Sequence, residues 1–501
     1  MKSLISLWIV GLSVVVMQNA VATPNQEIRQ PVTASGQIEN YRRVVSAMQS
    51  LPATNPSSWK YQAGMHQYFT LEDVESLKSL ILPSALPEWQ SHALAPDATV
   101  LKNNTWAQCH QNEEGTRDEV FLLWHRVYLY YFERIARKVS GQKDFSIPYW
   151  PYTMPDVEGV TQRVLPLAFR EKTLPSGETN VLYQPRRDSI NAGGLLNPND
   201  VVVDAINNYH TFELMQENME RTPHNVLHGA IGRRNLPGQW DGILMGIPNF
   251  AAQDPIFWLH HANIDRLWSC WIRAKKPDQK VIASKKKYNF VNENGKMVSH
   301  TAAQMVALVK KMKYQYADYS DCEPGPVLKK SPAKTKPLLS NPIRLYHSAV
   351  EARLETSKLV VPLMADAGSI DVWSSKNLTL KQAPRAMLTI EVLAPQLPSG
   401  ISYDIALRKK GGVGAGTHVG VMSFFGVDIH RALGHNKTAP KTTVVTFDAS
   451  GALMRESTSG IAEELEVVIV PRTGSEGDIL NNQPLGANFT PTITRFTVSV
   501  Q

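Results

Sequence analysis

Residues 254–274 read DPIFWLHHANIDRLWSCWIRA, and residues 119–138 read EVFLLWHRVYLYYFERIARK. In both stretches large apolar side chains recur at spacings of three and four, which predicts long, mostly buried helices. Each also carries histidine among bulky neighbours: His260 and His261 in the first, His125 followed by Arg126 in the second. Burial opposes the charged form of an imidazole, so such a histidine stays neutral and serves as a metal ligand or a hydrogen-bonded core residue. Helical periodicity of this kind runs from about 38 to 320.

Three further segments add histidines. His224 and His228 stand four apart in TPHNVLHG (222–229), with Pro223 at an expected helix start. That spacing sets both rings on one helix face, where a single ion reaches both. A zinc-protease pattern needs Glu between them at 225, and this chain has Asn225. His260 and His261 point about 100° apart on a helix, so one of them at most is expected to face a site shared with His224 and His228. His66 (AGMHQYF, 63–69) and His110 (AQCHQNE, 107–113) complete the set. A convergent all-histidine set suits copper better than the carboxylate-rich di-iron site of helix bundles, whose Glu-x-x-His pairs are absent here.

In these residues the chain resembles the type-3 copper family of tyrosinases, catechol oxidases and haemocyanins. Phe121-Leu122-Leu123-Trp124-His125-Arg126, with Glu133 seven beyond, looks like the first-copper signature, and Asp254 to Asp265 looks like the second. Pro223-His224-Asn225 with His228 is the third piece. The resemblance implies two copper ions, held by His66, His110 and His125 and by His224, His228 and His261. His260 would then be a packed neighbour. One departure stands out: the family's middle ligand lies about nine residues before the last of the first trio, where this chain has Thr116. His110 is the nearest candidate and implies an insertion over 112–117. Cys109 is adjacent to it, so a Cys–His thioether like that of some relatives is not expected between the two.

The implied chemistry is oxidation of an o-diphenol, or of a monophenol after hydroxylation, to an o-quinone at the expense of O2. Glu220 and Asn225 match the family's pair that holds a water able to deprotonate a phenol, whose free pKa is about 10. Asp265 and Arg126 either orient ligands or pair the two helices. Pro248 replaces a bulky Phe found over the first copper in many plant relatives, which predicts a more open entrance. A haemocyanin-like O2 carrier, or a maturation oxidase for one secreted peptide or siderophore, shares the same ligands. The Phe424-Phe425 run, expected to be exposed, is a candidate plug for the entrance.

Composition supports a folded, exported, multidomain chain. The 501 residues suffice for large cores without staples, and 14 His against 3 Cys exclude a disulfide-built miniprotein. A net charge of +7 is too diffuse for a nucleic-acid binder. Residues 1–22 join Lys2, an apolar run at 4–16 and Ala20-Val21-Ala22, the order of a cleaved signal peptide. The run makes about 20 Å of helix against a hydrocarbon layer of roughly 30 Å, so no membrane anchor is expected. One disulfide and one spare thiol are expected in an oxidising compartment, without a readable pairing. Residues 323–340 read as a Pro- and Lys-rich linker. Beyond it six β-type runs (358–362, 387–393, 418–424, 442–448, 464–471 and 491–500) predict an antiparallel sandwich or barrel over 341–501. The expected fold class is thus α+β and multidomain: a helical-bundle-type dicopper domain followed by a β-rich C-terminal domain.

Overall fold

The computed structural model describes residues 27–109, 120–156, 159–203, 206, 211–232, 240, 242, 244–275, 285–312, 314–321, 342–366, 385–395, 400–425, 442–456, 464–476, 480 and 484–500. The expected signal peptide at 1–22, the linker at 323–340 and His110 lie outside these residues.

The two long helices form as their periodicity predicts, at Phe121–Ser140 and Pro255–Lys275. Gly141, at φ 73°, ends the first in the left-handed conformation that glycine adopts freely. Pro255 starts the second where no backbone N–H is needed, and the Asp254 carboxylate accepts from Ile256 N at 3.0 Å. Their apolar faces meet at Phe132 and Trp258, whose ring centroids are 3.6 Å apart. Both side chains are fully buried, and each such burial contributes about 1.5–3 kcal/mol.

A charge-balanced cluster ties the pair together beneath this contact. Arg29 donates to Glu133 at 2.9 Å and to Asp265 at 2.8 Å. Arg126 also pairs with Asp265, and its guanidinium lies 3.8 Å over the Trp268 ring. Two cations and two carboxylates share a buried space, so each desolvated charge has a partner. Arg29 arrives on strand Glu27–Arg29, which pairs in parallel with Tyr314–Tyr316; the Tyr316 hydroxyl donates to Asp265. Asp265 and Arg126 thus pair the two helices, and among the described residues none of their hydrogen bonds goes to a clustered histidine.

The C-terminal half forms one nine-stranded antiparallel sheet. In spatial order the strands are Thr417–Ser423, Ser402–Lys409, Glu464–Arg472, Leu359–Ala365, Ile343–Ser348, Thr492–Val500, Ala386–Leu393 and Thr442–Asp448, with Ala352–Arg353 also on Thr492–Val500. All six expected runs are strands. The sheet curls until its two end strands meet, where Gly420 faces the Phe447 ring so closely that a Cβ would lie 2.5 Å from it. Of the expected sandwich or barrel, the single curled sheet corresponds to the barrel, because its end strands approach each other and no second sheet packs on it among the described residues.

Two buried cores result, and both halves contribute to each: Met387 and Phe425 join the helical core. Leu345, Ile405, Val467 and Phe496 of the sheet join Phe69, Trp89, Trp240 and Phe250 from the helical half. Polar clamps add to this apolar seam. Arg472 donates to Asp200 at 2.8 Å and to Asp404 at 2.7 Å, and Arg221 donates to the Thr446 carbonyl at 2.9 Å. Cys270 is in a disulfide and Cys109 is a free buried thiol, which answers which cysteine is left over. No helix among the described residues is long and apolar enough to cross a membrane.

Candidate metal centre

Four helical segments converge on one buried space. His66 is the last residue of helix Trp59–His66, His125 lies one turn into Phe121–Ser140, and His260 and His261 lie in Pro255–Lys275. His224 and His228 come from a helical run over Glu220–Ile231 that is interrupted at Thr222, where φ −139° and ψ 121° are extended. Thr222 precedes Pro223, and proline's ring drives the preceding residue out of the helical region. Beyond the break the two imidazoles lie one helical turn apart and meet edge-on, centroids 4.6 Å apart.

The rings divide into two groups. His224, His228, His260 and His261 each place a ring nitrogen within 4.8 Å of the others; His66 and His125, with the Cys109 sulfur, form a second group of the same tightness. The groups adjoin, since His125 and His261 stack at 4.3 Å with their planes 10° apart. His224 Nε2 and His261 Nε2 are 3.3 Å apart. Two imidazoles on one tetrahedral ion at bond lengths of about 2.05 Å would have their nitrogens about 3.3 Å apart.

Four of the six rings share one mode of orientation. His66 Nδ1–H donates to the Pro248 carbonyl at 3.2 Å, His125 Nδ1–H to the Phe121 carbonyl at 2.8 Å, and His228 Nδ1–H to the Met245 carbonyl at 2.9 Å. His224 Nδ1–H donates to Asn225 Oδ1 at 2.8 Å. A carbonyl oxygen can only accept, so each ring is fixed as the tautomer whose Nε2 carries a lone pair. The Nε2 atoms of His66 and His228 are buried and find no hydrogen-bond partner among the described residues. Unpaired buried acceptors are costly unless something binds them. Burial holds all six imidazoles below the usual histidine range, His66 to about 3 and His224 to about 4, so all are neutral at physiological pH. Neutral, preoriented nitrogen donors in two adjoining groups fit a pair of copper ions.

The remaining expectations divide. His260 does not stay apart from the shared group as helix geometry suggests. Tyr152 OH lies 3.1 Å from its Nδ1, its ring stacks on His224 at 5.4 Å, and its Nε2 is buried without a partner. A side chain with two free torsions overcomes a 100° difference in backbone direction. Glu220 is buried at the edge of the space. Asn225 is engaged with His224. Pro248 contributes its carbonyl to His66, a role that no sequence signal announces.

Phe424 and Phe425 are both buried, correcting the expectation of exposure. They follow strand Thr417–Ser423 and diverge, Phe424 into the sheet core and Phe425 into the helical core. Phe425 stacks on His228, centroids 4.2 Å apart and planes 11° apart, and meets His224 edge-on at 6.2 Å.

Comparison with known proteins agrees with this geometry. The family model described as the common central domain of tyrosinase matches residues 56–190 and 176–274. Over the matched residues, 56–274, the chain belongs to the type-3 copper family. Among curated relatives, a tyrosinase of Hahella sp. (strain CCB-MM4) is 30% identical over 286 residues, covering 52% of this chain and 56% of its own length. A chloroplastic polyphenol oxidase of Vitis vinifera is 24% identical over 363 residues, covering 66% of this chain and 52% of its own length. The chain thus spans about half the length of these curated relatives. In fold the chain is similar over nearly its whole length to a latent apple tyrosinase, with TM-score 0.61, 18% identity and 96% and 98% of the two chains covered. A latent aurone synthase (polyphenol oxidase) gives TM-score 0.56 at 19% identity, with 95% and 91% covered.

Proposed function

We propose that this chain is a latent dicopper oxidase that takes two electrons and two protons from an o-diphenol, releases the o-quinone and passes the electrons to O2. The observation that supports the reading is the pair of adjoining histidine groups, in which His66, His125, His224 and His228 have their Nδ1 atoms tied to carbonyl oxygens and so carry a lone pair on Nε2. His66 and His125, with His110 as the expected third donor, would hold one copper; His224, His228 and His261 would hold the other. The ions supply the redox chemistry when bound. The protein supplies buried, neutral imidazole donors, and Glu220, buried as well, is assigned the role of accepting a phenol proton. Asn225 orients His224 and so supports the same step. Monophenol hydroxylation falls within this reading, with Glu220 proposed to accept the phenol proton.

Latency is the second part of the proposal. Phe425 covers the face of His228, where a planar phenol would stack. The domain division at 38–320, 323–340 and 341–501, and export through 1–22, complete the reading. The test is to mix the copper-loaded full chain with L-DOPA and with tyrosine, following quinone absorbance and O2 uptake together. Turnover of L-DOPA supports the oxidase. An oxygenated absorption band without turnover, from protein opened by limited proteolysis, supports the haemocyanin-like carrier instead.

A further inference from the structure

We infer that Tyr131, paired with His300 and joined to the histidine chamber by Trp124, is a redox-active tyrosine that passes single electrons from a reductant in solvent, a diphenol or an enediol, to the metal site. The inference rests on the dicopper reading above and adds to it an activity that phenol binding in the chamber does not supply.

The route is built on one stripe of a helix. Trp124, Tyr128 and Tyr131 of Phe121–Ser140 stand at i, i+4 and i+7, so their rings share one face. The stripe starts at the site: the Trp124 ring lies 4.8 Å from that of His125 and 6.2 Å from that of His66. Phe290, from strand Lys287–Val291, stacks on both Trp124 and Tyr131, at 5.9 and 5.5 Å with each pair of planes 30° apart. All four side chains are buried. Rings packed in unbroken contact keep each electron step short.

Of these rings, Tyr131 is the one that meets a base. Its hydroxyl lies 2.7 Å from His300 Nε2, within the reach that proton transfer requires. His300, on strand Met297–Thr301, is partly exposed, so the pair opens the stripe to solvent. The other branch ends in the core. Tyr128 OH donates to the Gln62 carbonyl, and beyond it Trp258 and Trp59 donate their indole N–H groups to the carbonyls of Ala252 and Gln253. A carbonyl accepts a hydrogen bond without taking the proton, so oxidising those rings would leave a buried charge. Burial pushes the Tyr131 phenol up to about 12 and lowers His300 from its ordinary value, so the phenol keeps its proton and the imidazole is neutral and able to receive it.

The step balances within the pair. The Tyr131 O–H bond breaks, its electron leaves through Trp124 and its proton moves to His300 Nε2, giving a neutral tyrosyl radical beside an imidazolium. The diphenol or enediol then returns one electron and releases its own proton to water, while His300 returns the proton to the phenol. Two such cycles supply the two electrons that, with two protons from solvent, reduce one hydrogen peroxide to two waters at the metal site. Phe425 makes the route useful: while it covers His228 a phenol is kept out, and an oxidant left in the chamber has only the imidazoles to attack.

Electron paramagnetic resonance tests this on the full chain, copper-loaded and free of substrate, mixed with hydrogen peroxide and freeze-quenched. The parent should show a tyrosyl signal that narrows when its tyrosines are ring-deuterated and disappears when ascorbate is added. Tyr131→Phe and Trp124→Phe should lose it, and so should His300→Gln, which keeps a hydrogen-bond partner but no base. Copper content, and L-DOPA turnover after limited proteolysis, should be unchanged in Tyr131→Phe and His300→Gln, which reports an intact fold and site. A tyrosyl signal that survives any of the three substitutions would overturn the inference. So would a parent that holds two coppers and gives no tyrosyl signal, and the dicopper reading would stand. A chain that binds no copper would overturn both.

Discussion

Phe425 of the C-terminal half lies face to face on His228 of the helical half, ring centroids 4.2 Å apart and planes 11° apart. The contact joins the end of a curled sheet to a proposed copper ligand, so the proposed latency depends on one side chain more than on the whole domain. Burying a Phe contributes about 1.5–3 kcal/mol, and each 1.4 kcal/mol is tenfold in an equilibrium constant. Phe425→Ala is therefore expected to raise kcat/KM for L-DOPA by roughly tenfold to a hundredfold, mostly through KM, with copper content unchanged. Steady-state kinetics without proteolysis or detergent measure it, and an unchanged kcat/KM would show that Phe425 is not the barrier.

Asn225 holds His224 by a single 2.8 Å hydrogen bond. Removing the partner that orients a ligand imidazole typically weakens metal affinity by about 10–100-fold. Asn225→Ala should therefore lose the second copper preferentially in competition with a chelator, while Asn225→Asp, which keeps an acceptor oxygen, should retain it. Equal retention by both variants would assign Asn225 no orienting role.

Asp265 serves Arg29, Arg126 and the Tyr316 hydroxyl at once. Its removal leaves two buried guanidinium groups short of one carboxylate, which costs about 3–5 kcal/mol. Asp265→Ala should lower the unfolding midpoint by several degrees and reduce the yield of folded protein. Whatever folds should bind its metals normally, since among the described residues Asp265 makes no hydrogen bond to a clustered histidine. A variant as stable as the parent would mean that the cluster does not hold the helices together.

The metal-free chain should lose stability as pH falls. Burial lowers the folded pKa values of the six imidazoles, to about 3 for His66 and about 4 for His224, from an ordinary value near 6.5. Below that value the unfolded chain binds protons that the native chain refuses, so stability is full above about pH 6.5 and declines toward pH 4 and 3. Thermal melts of chelator-treated protein between pH 7.5 and 5 should show a falling midpoint, and bound copper should offset the fall. A midpoint independent of pH over that range would contradict the neutral, buried assignment.

Much of the fold is legible in the chain because its strongest signals are local. The long helices carry bulky side chains at every turn, and the six strands are short alternating or β-branched runs. Ser402–Lys409 and Ile343–Ser348 escape notice because Asp404, Arg408, Lys409 and Arg344 interrupt the apolar pattern. Tertiary partners take up those charges: Arg472 pairs with Asp404, Glu466 with Arg408 and Asp366 with Arg344. In the site, five of the six expected histidines stand together in the described structure, and His110 lies outside it. What spacing could not give is direction. Cys109 is held beside His66 by a backbone bond to a helix end more than forty residues away, Phe425 crosses from the other half of the chain, and the Pro248 carbonyl has no side-chain signature.

Copper analysis of the purified full chain after anaerobic loading and desalting tests the central claim most directly, done beside His261→Ala and His125→Ala. Two adjoining donor groups predict two coppers per parent chain and one per chain in each variant. A parent chain that holds one copper or none, or variants that each keep two, would contradict it.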